Sequence, residues 1–131
     1  MKTLIVDDEF TSRLILQKLL MDYGETHVVS SGKEAIDVFS EAMLNKDPYD
    51  LVCLDIMMPD IDGQSVLDEL RAIEDLEGLH GSDGAKIIMI SALKDKKTIM
   101  QAFKSQCEGY LVKPIDGNKL LEQLKAFKLI E

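Results

Sequence analysis

The chain of 131 residues lacks most of the features that mark membrane, secreted or metal-thiolate proteins. No apolar stretch approaches the roughly 20 residues that a bilayer-spanning helix needs. Acidic residues end the short apolar segment after Met1, so nothing resembles a signal peptide. Cys53 and Cys107 have no CxxC spacing and no paired histidines, which argues against a disulfide or metal framework. We therefore expect a cytoplasmic protein with no membrane segment, in which Cys53 is a small buried hydrophobic residue.

Basic residues are also scarce. The chain has 15 lysines and arginines against 24 aspartates and glutamates, which gives a formal net charge of −9. Such a charge repels a phosphate backbone, so direct binding to nucleic acid is disfavoured. The hydrophobic fraction of 46% is nevertheless enough for a packed core, and we expect one domain that spans residues 1–131.

Five short runs of β-branched and apolar residues alternate with five segments of helical periodicity. The runs are apolar throughout, as expected for parallel strands that are covered on both faces. This alternation predicts an α/β fold of the (βα)₅ type, with three layers and right-handed crossovers. Periodicity does not reveal the order of the strands in the sheet. The predicted strands are Thr3–Val6, His27–Val29, Leu51–Leu54, Ile87–Ile90 and Tyr110–Val112.

The segments between the strands carry helix signals. Gly24 is expected to end the first helix, and Ser31, three residues before Glu34, to open the second with a capping box. The fourth helix should begin near Asp95, and the glycine-rich connection Glu77–Ala85 is expected to be a mobile surface loop. The predicted apolar faces are Leu16, Leu19, Leu20 and Tyr23; Ile36, Phe39 and Met43; Val66, Leu67, Leu70 and Ile73; Ile99, Met100 and Phe103; and Leu120, Leu121, Leu124 and Phe127.

Polar side chains follow four of the predicted strands. Ligands of open parallel α/β sheets bind at the carboxyl ends of the strands, so these side chains should share one edge. Each of them alone is more simply explained as a turn former, a helix cap or a surface charge, and only their joint placement indicates a site. They are Asp7, Asp8 and Glu9 after the first strand, Asp55 at the end of the third, Ser91 after the fourth and Lys113 after the fifth.

The chemistry of this set points to phosphoryl transfer. Clustered carboxylates repel one another unless a cation joins them, and Mg²⁺ readily bridges one or two carboxylates and a phosphoryl group. Lys113 can pair with a phosphoryl oxygen, and Ser91 can donate a hydroxyl hydrogen to another. Asp55 can then act as a nucleophile that forms an aspartyl phosphate, with positioning and charge neutralisation supplying most of the catalysis.

In both order and spacing, the motifs of the chain resemble the response-regulator receiver domain, and the likeness covers essentially all 131 residues. The resemblance implies a flavodoxin-like fold with a parallel sheet of order 2-1-3-4-5. One departure is visible, because Gln106-Cys107-Glu108-Gly109 stands where the family often has Gly-Ala. The matching motifs are Asp7-Asp8, Asp55 with Met58-Pro59 and Asp62-Gly63, Ser91-Ala92, and Tyr110-Leu111-Val112-Lys113-Pro114.

The resemblance also implies a role for each site residue. Asp55 would be the phosphoacceptor and, with Asp8, a carboxylate ligand of Mg²⁺, or of Mn²⁺ in its place. Asp7 would act mainly through a coordinated water, and the backbone carbonyl of Met57 would complete the protein ligands.

Three further residues have implied roles outside the metal ligands. Ser91 and Lys113 would contact the phosphoryl group, Ser91 and Tyr110 would form a switch pair, and the Lys113–Pro114 peptide bond would be cis.

From these roles we expect a signalling protein that catalyses its own phosphorylation and dephosphorylation, and not a turnover enzyme. The implied donor is a sensor histidine kinase or a phosphotransfer protein. The sequence contains no DNA-binding or enzymatic output segment, so output should come from docking of a protein target. The expected docking face combines the fourth helix, the fifth strand and the fifth helix, where Lys94, Lys96 and Lys97 form a small basic cluster.

Three other classes of function compete with this interpretation. An aspartyl phosphatase would typically have a second acid two residues after the nucleophile, where this chain has Met57. A flavin or nucleotide binder would need a phosphate loop after the first strand, where Asp7-Asp8-Glu9-Phe10 would repel phosphate unless a metal intervened. A degenerate receiver that only docks partners would not need the full set of reactive residues that is present.

Overall fold

The described residues of the computed structural model, 1–80 and 83–131, form five strands and five α-helices that alternate along the chain. Among these residues, no helix is both long and apolar enough to cross a membrane. The strands are β1 (Thr3–Val6), β2 (Thr26–Val29), β3 (Leu51–Asp55), β4 (Lys86–Ser91) and β5 (Gly109–Val112). The helices are α1 (Phe10–Leu20), α2 (Gly32–Leu44), α3 (Gly63–Leu76), α4 (Lys96–Lys104) and α5 (Gly117–Ala126).

All strand pairs are parallel, and the sheet has the order β2-β1-β3-β4-β5. This result confirms the expected (βα)₅ flavodoxin-like fold. Every predicted strand agrees with the structure to within one residue at either end, because each apolar run is bounded by turn-forming or charged residues. The register aligns Val6 with Leu54 and Ser91 with Val112, so the carboxyl ends of the strands form one common edge.

Side chains of successive strand residues point to opposite faces of the sheet, and both faces are buried along the central strands β1, β3 and β4. Leu4 and Val6 of β1 join one apolar cluster with residues of α2 and α3, whereas Ile5 joins a second cluster with residues of α1 and α5. The molecule therefore has three layers. Cys53 is fully buried in the second cluster, and burial raises the pKa of its thiol to about 12, which fits its expected role as a small apolar residue.

Helix ends follow the sequence signals in part. The Ser31 hydroxyl accepts a hydrogen bond from the Glu34 N–H at 3.2 Å, as the capping box predicts. Helix α1, however, ends at Leu20 and continues as a 3₁₀ turn over Met21–Tyr23, after which Gly24 has φ +140°. Tyr23 therefore leaves the helical phase and is exposed, so its predicted place on the buried face was wrong.

The predicted apolar face of α4 was also wrong. Met100 and Phe103 are 59% and 47% exposed, and within α4, all of whose residues are described, Ala102 alone is buried. Successive helical residues are separated by about 100°, so a helix that packs through Ala102 turns Met100 away from the sheet and leaves Ile99 half-buried. An apolar stripe consequently remains on the outer surface of α4.

The connection that was predicted as a mobile loop, Glu77–Ala85, includes residues 81 and 82, which lie outside the described residues. In the described part, the Leu79 N–H donates to the Glu74 carbonyl at 2.9 Å and the Ala85 N–H donates to the Glu74 carboxylate at 2.7 Å. Mobility of the connection stays a prediction.

A buried ionic cluster around Arg71 ties α3 to the amino-terminal end of β4 and to the turn before β5. Arg71 is 8% exposed, and all five of its N–H donors have acceptors. Buried arginine is tolerated when its charge is paired and its donors are satisfied. The acceptors are the carboxylates of Glu74 and Glu108 and the backbone carbonyls of Ala85 and Gln106, at 2.6–3.0 Å.

Gln106 stands at the departure from the family pattern and has a left-handed backbone, with φ +73°. Its carbonyl accepts two hydrogen bonds from Arg71, so the backbone is held in this conformation although a side chain is present. Glycine adopts a positive φ without the steric cost that other residues carry.

We predict that Gln106→Gly raises the free energy of unfolding by roughly 0.5–1 kcal/mol, because relief of the strain exceeds the added entropy of the unfolded chain. The matched change Gln101→Gly, in the middle of α4, should lower it by about 1 kcal/mol. Urea unfolding with an unchanged m-value measures both. A loss of stability in Gln106→Gly would contradict the argument.

Candidate acidic site at the carboxyl end of the sheet

The topology of the sheet places the predicted acids side by side. Because β1 and β3 are neighbours and Val6 is aligned with Leu54, the next residues on the two strands, Asp7 and Asp55, meet at the edge. Carboxylate oxygens of Asp7, Asp8 and Asp55 all lie within 4.8 Å of one another. Asp7 and Asp55 are 1% and 4% exposed, whereas Asp8 faces solvent.

Lys113, which follows β5, brings the positive charge. Its Nζ lies 3.1 Å from Asp7 Oδ2, 3.6 Å from Asp55 Oδ2 and 4.0 Å from Glu9 Oε1. The Lys113–Pro114 peptide bond is cis, the geometry that the resemblance implied. One ammonium thus faces two buried carboxylates and a third that is exposed.

The charges are not balanced, and the pKa values reflect it. Burial, followed by the negative charge of Asp7, raises the pKa of Asp55 to about 7, although Lys113 and the Met57 N–H oppose the shift. Burial lowers the pKa of Lys113, but the close contact of its ammonium with Asp7 and the charges of the neighbouring carboxylates raise it above the usual range overall. The site therefore retains an excess of negative charge that favours a further cation.

The loop from β1 to α1 fixes Asp7. The Glu9 N–H donates to Asp7 Oδ1 at 2.9 Å, and Arg13 donates to the Asp7 carbonyl at 2.8 Å. Among the described residues, Asp7 Oδ2 has no hydrogen bond of ordinary geometry and meets only the charge of Lys113. Three clustered carboxylates, one with an under-bonded buried oxygen, match the oxygen ligands that Mg²⁺ prefers.

An open cavity of about 430 Å³ lies over these carboxylates. This volume accommodates a phosphoryl group with metal-bound waters. Its lining residues are Asp8, Glu9, Asp55, Met57, Ala92 and Lys113.

Ser91 and Tyr110 both form hydrogen bonds with Leu93, a residue that the sequence analysis did not single out. The buried Ser91 hydroxyl accepts a hydrogen bond from the Leu93 N–H at 3.1 Å, and the Tyr110 hydroxyl donates to the Leu93 carbonyl at 2.6 Å. Burial raises the pKa of Tyr110, which is half-buried. The connection between β4 and α4 therefore links the predicted switch residues.

The family model of the response regulator receiver domain matches residues 3–125. The chain belongs to the response regulator receiver family. Chemotaxis protein CheY-3 of Vibrio cholerae is 36% identical over 95% of the chain and 88% of that protein. The probable transcriptional regulator ycf27 of Guillardia theta is also 36% identical, but the chain spans only 44% of its length. The structure of a CheX–CheY–BeF₃–Mg²⁺ complex from Borrelia burgdorferi has 26% identity and a TM-score of 0.80, covering 100% of this chain and 90% of that one.

Sequence reasoning missed some contacts of this receiver domain. Arg13 orders the acidic loop, and Gln64 of α3 donates to the Thr98 carbonyl in the first turn of α4 at 3.1 Å. Both contacts join residues whose sequence spacing carries no motif. The sequence offered one signal for the Arg13 contact, because Arg13 is a basic residue one or two helical turns after the acidic pair Asp7-Asp8.

The raised pKa of Asp55 predicts how this receiver domain responds to pH without metal. The carboxyl group of Asp55 has a pKa near 3.9 in the unfolded chain and about 7 in the folded protein. The folded protein therefore keeps this proton up to a higher pH than the unfolded chain does. As a result, the free energy of unfolding falls as the pH rises from about 4 to about 7. In chelator, Asp55→Asn should therefore be more stable than wild type at pH 8, by about 4 kcal/mol, and similar near pH 4.

Urea unfolding at several pH values checks this dependence, with the exposed Asp68→Asn of α3 as the control for loss of a surface charge. A stability difference between Asp55→Asn and wild type that does not change with pH would contradict the assignment.

Proposed function

We propose that this receiver domain, residues 1–131 of a cytoplasmic protein, accepts a phosphoryl group on Asp55 in a Mg²⁺-dependent reaction and signals to a protein partner. The supporting observation is the environment of Asp55, a buried carboxylate 3.6 Å from Lys113 and within 4.8 Å of the Asp7 and Asp8 oxygens. A histidine kinase or a phosphotransfer protein would be the donor. Family membership favours this proposal over an aspartyl phosphatase or a flavin binder.

The residues that would hold Mg²⁺ are Asp8, Asp55 and the backbone carbonyl of Met57, with Asp7 acting through a water. The ion would supply charge neutralisation for the carboxylates and for the phosphoryl oxygens. The excess negative charge of the site and the under-bonded Asp7 Oδ2 support this ligand set.

Side chains of this protein would carry out the phosphoryl transfer. A carboxylate oxygen of ionised Asp55 attacks the phosphorus, and the bond to the donor nitrogen breaks with its electron pair leaving on the imidazole. Lys113 pairs with one phosphoryl oxygen, and the Ser91 hydroxyl donates to another. Attack of water on the phosphorus of the aspartyl phosphate would later release inorganic phosphate and return Asp55 to its original state. The protein would thus catalyse its own phosphorylation and dephosphorylation, and its output would be the signal and not a released product.

The signal would leave through α4. A phosphoryl oxygen that accepts a hydrogen bond from the Ser91 hydroxyl would draw the Ser91 oxygen away from the Leu93 N–H, which donates to it, and the Tyr110 hydroxyl donates to the carbonyl of the same Leu93. The outer surface of α4 carries the exposed side chains of Met100 and Phe103, flanked by Lys96, Lys97 and Lys104. An acidic partner with apolar anchors would fit this surface together with β5 and α5, in a chain that is otherwise strongly acidic.

The first test is the site of modification. Wild type incubated with Mg²⁺ and acetyl phosphate should gain one phosphoryl group by intact mass, whereas Asp55→Asn should gain none because the nucleophile is absent. Chelation of Mg²⁺ should suppress the gain in wild type. Asp68→Asn serves as the control for a lost surface carboxylate, and undiminished labelling of Asp55→Asn would refute the assignment.

The second test concerns the switch. With BeF₃⁻ as a stable phosphoryl mimic, amide exchange between residues 92 and 110 should change in wild type and far less in Ser91→Ala, since the hydroxyl that links the phosphoryl oxygens to Leu93 is lost. Ser105→Ala, at the far end of α4, is the control and should respond like wild type. Equal responses in all three proteins would mean that Ser91 does not transmit the change.

A further inference from the structure

Asp60 makes an unusual contact in the loop that follows Asp55. Helix α3 is capped by its own Asp62, whose carboxylate accepts from the Ser65 N–H at 3.1 Å. Asp60 instead reaches another helix. Its Oδ1 accepts from the Gly32 N–H at 3.1 Å and its Oδ2 from the Lys33 N–H at 3.0 Å, so that it caps α2 across 28 and 27 residues of sequence.

The same two segments are in close packing contact. A Cβ at Gly32 would lie 2.8 Å from Val66 Cγ2 and 3.0 Å from Ile61 Cβ, so the start of α2 fits against the loop and α3 without space for a side chain. The hydrogen bond from the Lys33 N–H, with those from Ile61 and Gly32, lowers the pKa of Asp60, so its carboxylate is charged near neutral pH. A charged acceptor strengthens both contacts with α2.

A hydrogen bond also joins the two ends of the loop between Ile56 and Gly63, at its base. The Gly63 N–H donates to the Ile56 carbonyl at 2.7 Å, and a side chain at Gly63 would clash with the Asp55 carbonyl. Between this base and the Asp60 contact lies Met57, whose N–H donates to Asp55 Oδ1 at 3.3 Å. The backbone beside Asp55 is thus held at two points, one within the loop and one on α2.

We propose that Asp60 is a positioning residue, which anchors residues 57–61 to α2 and thereby holds the backbone of Met57 against Asp55 before any ligand binds. The consequence for Mg²⁺ rests on the function proposed above, because Met57 would supply a carbonyl ligand there. Loss of the anchor should weaken Mg²⁺ binding about five-fold, the factor that corresponds to one helix-cap interaction. The maximal rate of phosphorylation should change little, because no group that would touch the phosphoryl oxygens is altered.

Ser31→Ala provides a matched control. It removes the local cap of the same helix, since the Ser31 hydroxyl accepts from the Glu34 N–H, but it leaves the Asp60 contacts in place. Both Asp60→Ala and Ser31→Ala should lower stability, while Asp60→Asn, which keeps one carbonyl acceptor, should lie between Asp60→Ala and wild type.

The deciding measurements are amide exchange at Met57 and Met58 in chelator and the Mg²⁺ concentration that gives half of the Mg²⁺-induced rise in Tm. We expect faster exchange and a higher half-point in Asp60→Ala, and neither change in Ser31→Ala. Equal behaviour of these two variants would overturn the positioning role. If wild type neither takes up a phosphoryl group nor gains stability from Mg²⁺, the proposed function fails, while the exchange data still decide whether Asp60 holds the loop.

Discussion

The repulsion between two buried carboxylates, only partly offset by a single ammonium, is the constraint on which the functional end of the molecule depends. Asp7 and Asp55 become neighbours because β1 and β3 are adjacent at the centre of the sheet. Lys113 must reach them from the edge strand, across the end of β4, where Ser91 is fully buried. Burial of like charges is costly unless other charges and hydrogen bonds compensate, so this arrangement makes structural sense as a receptor for a cation and an anionic group together.

Several of the many acidic residues of the chain cap helices. Every α-helix of a parallel α/β fold that follows a strand begins near the carboxyl edge, where unpaired N–H groups need acceptors. Asp62, Asp95 and Asp116 cap α3, α4 and α5 in this way, and Asp60 adds a cap to α2 from outside that helix. Negative charge is therefore concentrated around the site partly because the helices require it, and a bound cation would offset the repulsion.

The strands and the main site residues could be predicted from the sequence, but the packing of α4 could not. The strands were found from their apolar runs, and the convergence of Asp7, Asp55, Ser91 and Lys113 followed from the rule that strand ends share an edge. The strand order came from the family resemblance. Periodicity misplaced the face of α4 because a single small residue, Ala102, decides how that helix packs, and three larger apolar residues outweighed it in the pattern.

Contacts that join distant residues through the backbone were out of reach of sequence reasoning. Arg71 pairs with carbonyls 14 and 35 residues away, and nothing at Gln106 or Ala85 identifies either as an acceptor. The same holds for the Asp60 cap, since the carboxylate sits between Pro59 and Ile61 like any loop residue. Side-chain patterns reveal which face is buried, whereas a backbone donor or acceptor has no residue identity to recognise.

The two ends of α4 are held with unequal strength, and this gives the helix the mechanics of a lever. Its carboxyl end is fixed through Gln106 to the charged Arg71 cluster, while neutral hydrogen bonds to Leu93 and Thr98 hold the end near the site. A helix of nine residues is about 13 Å long, so a rotation of about 10° about the fixed end displaces the other end by about 2 Å. Small rearrangements at Ser91 would thus displace the amino end of α4 most, and the exposed Met100 would shift against a docked surface further than Phe103, which lies beside the fixed end.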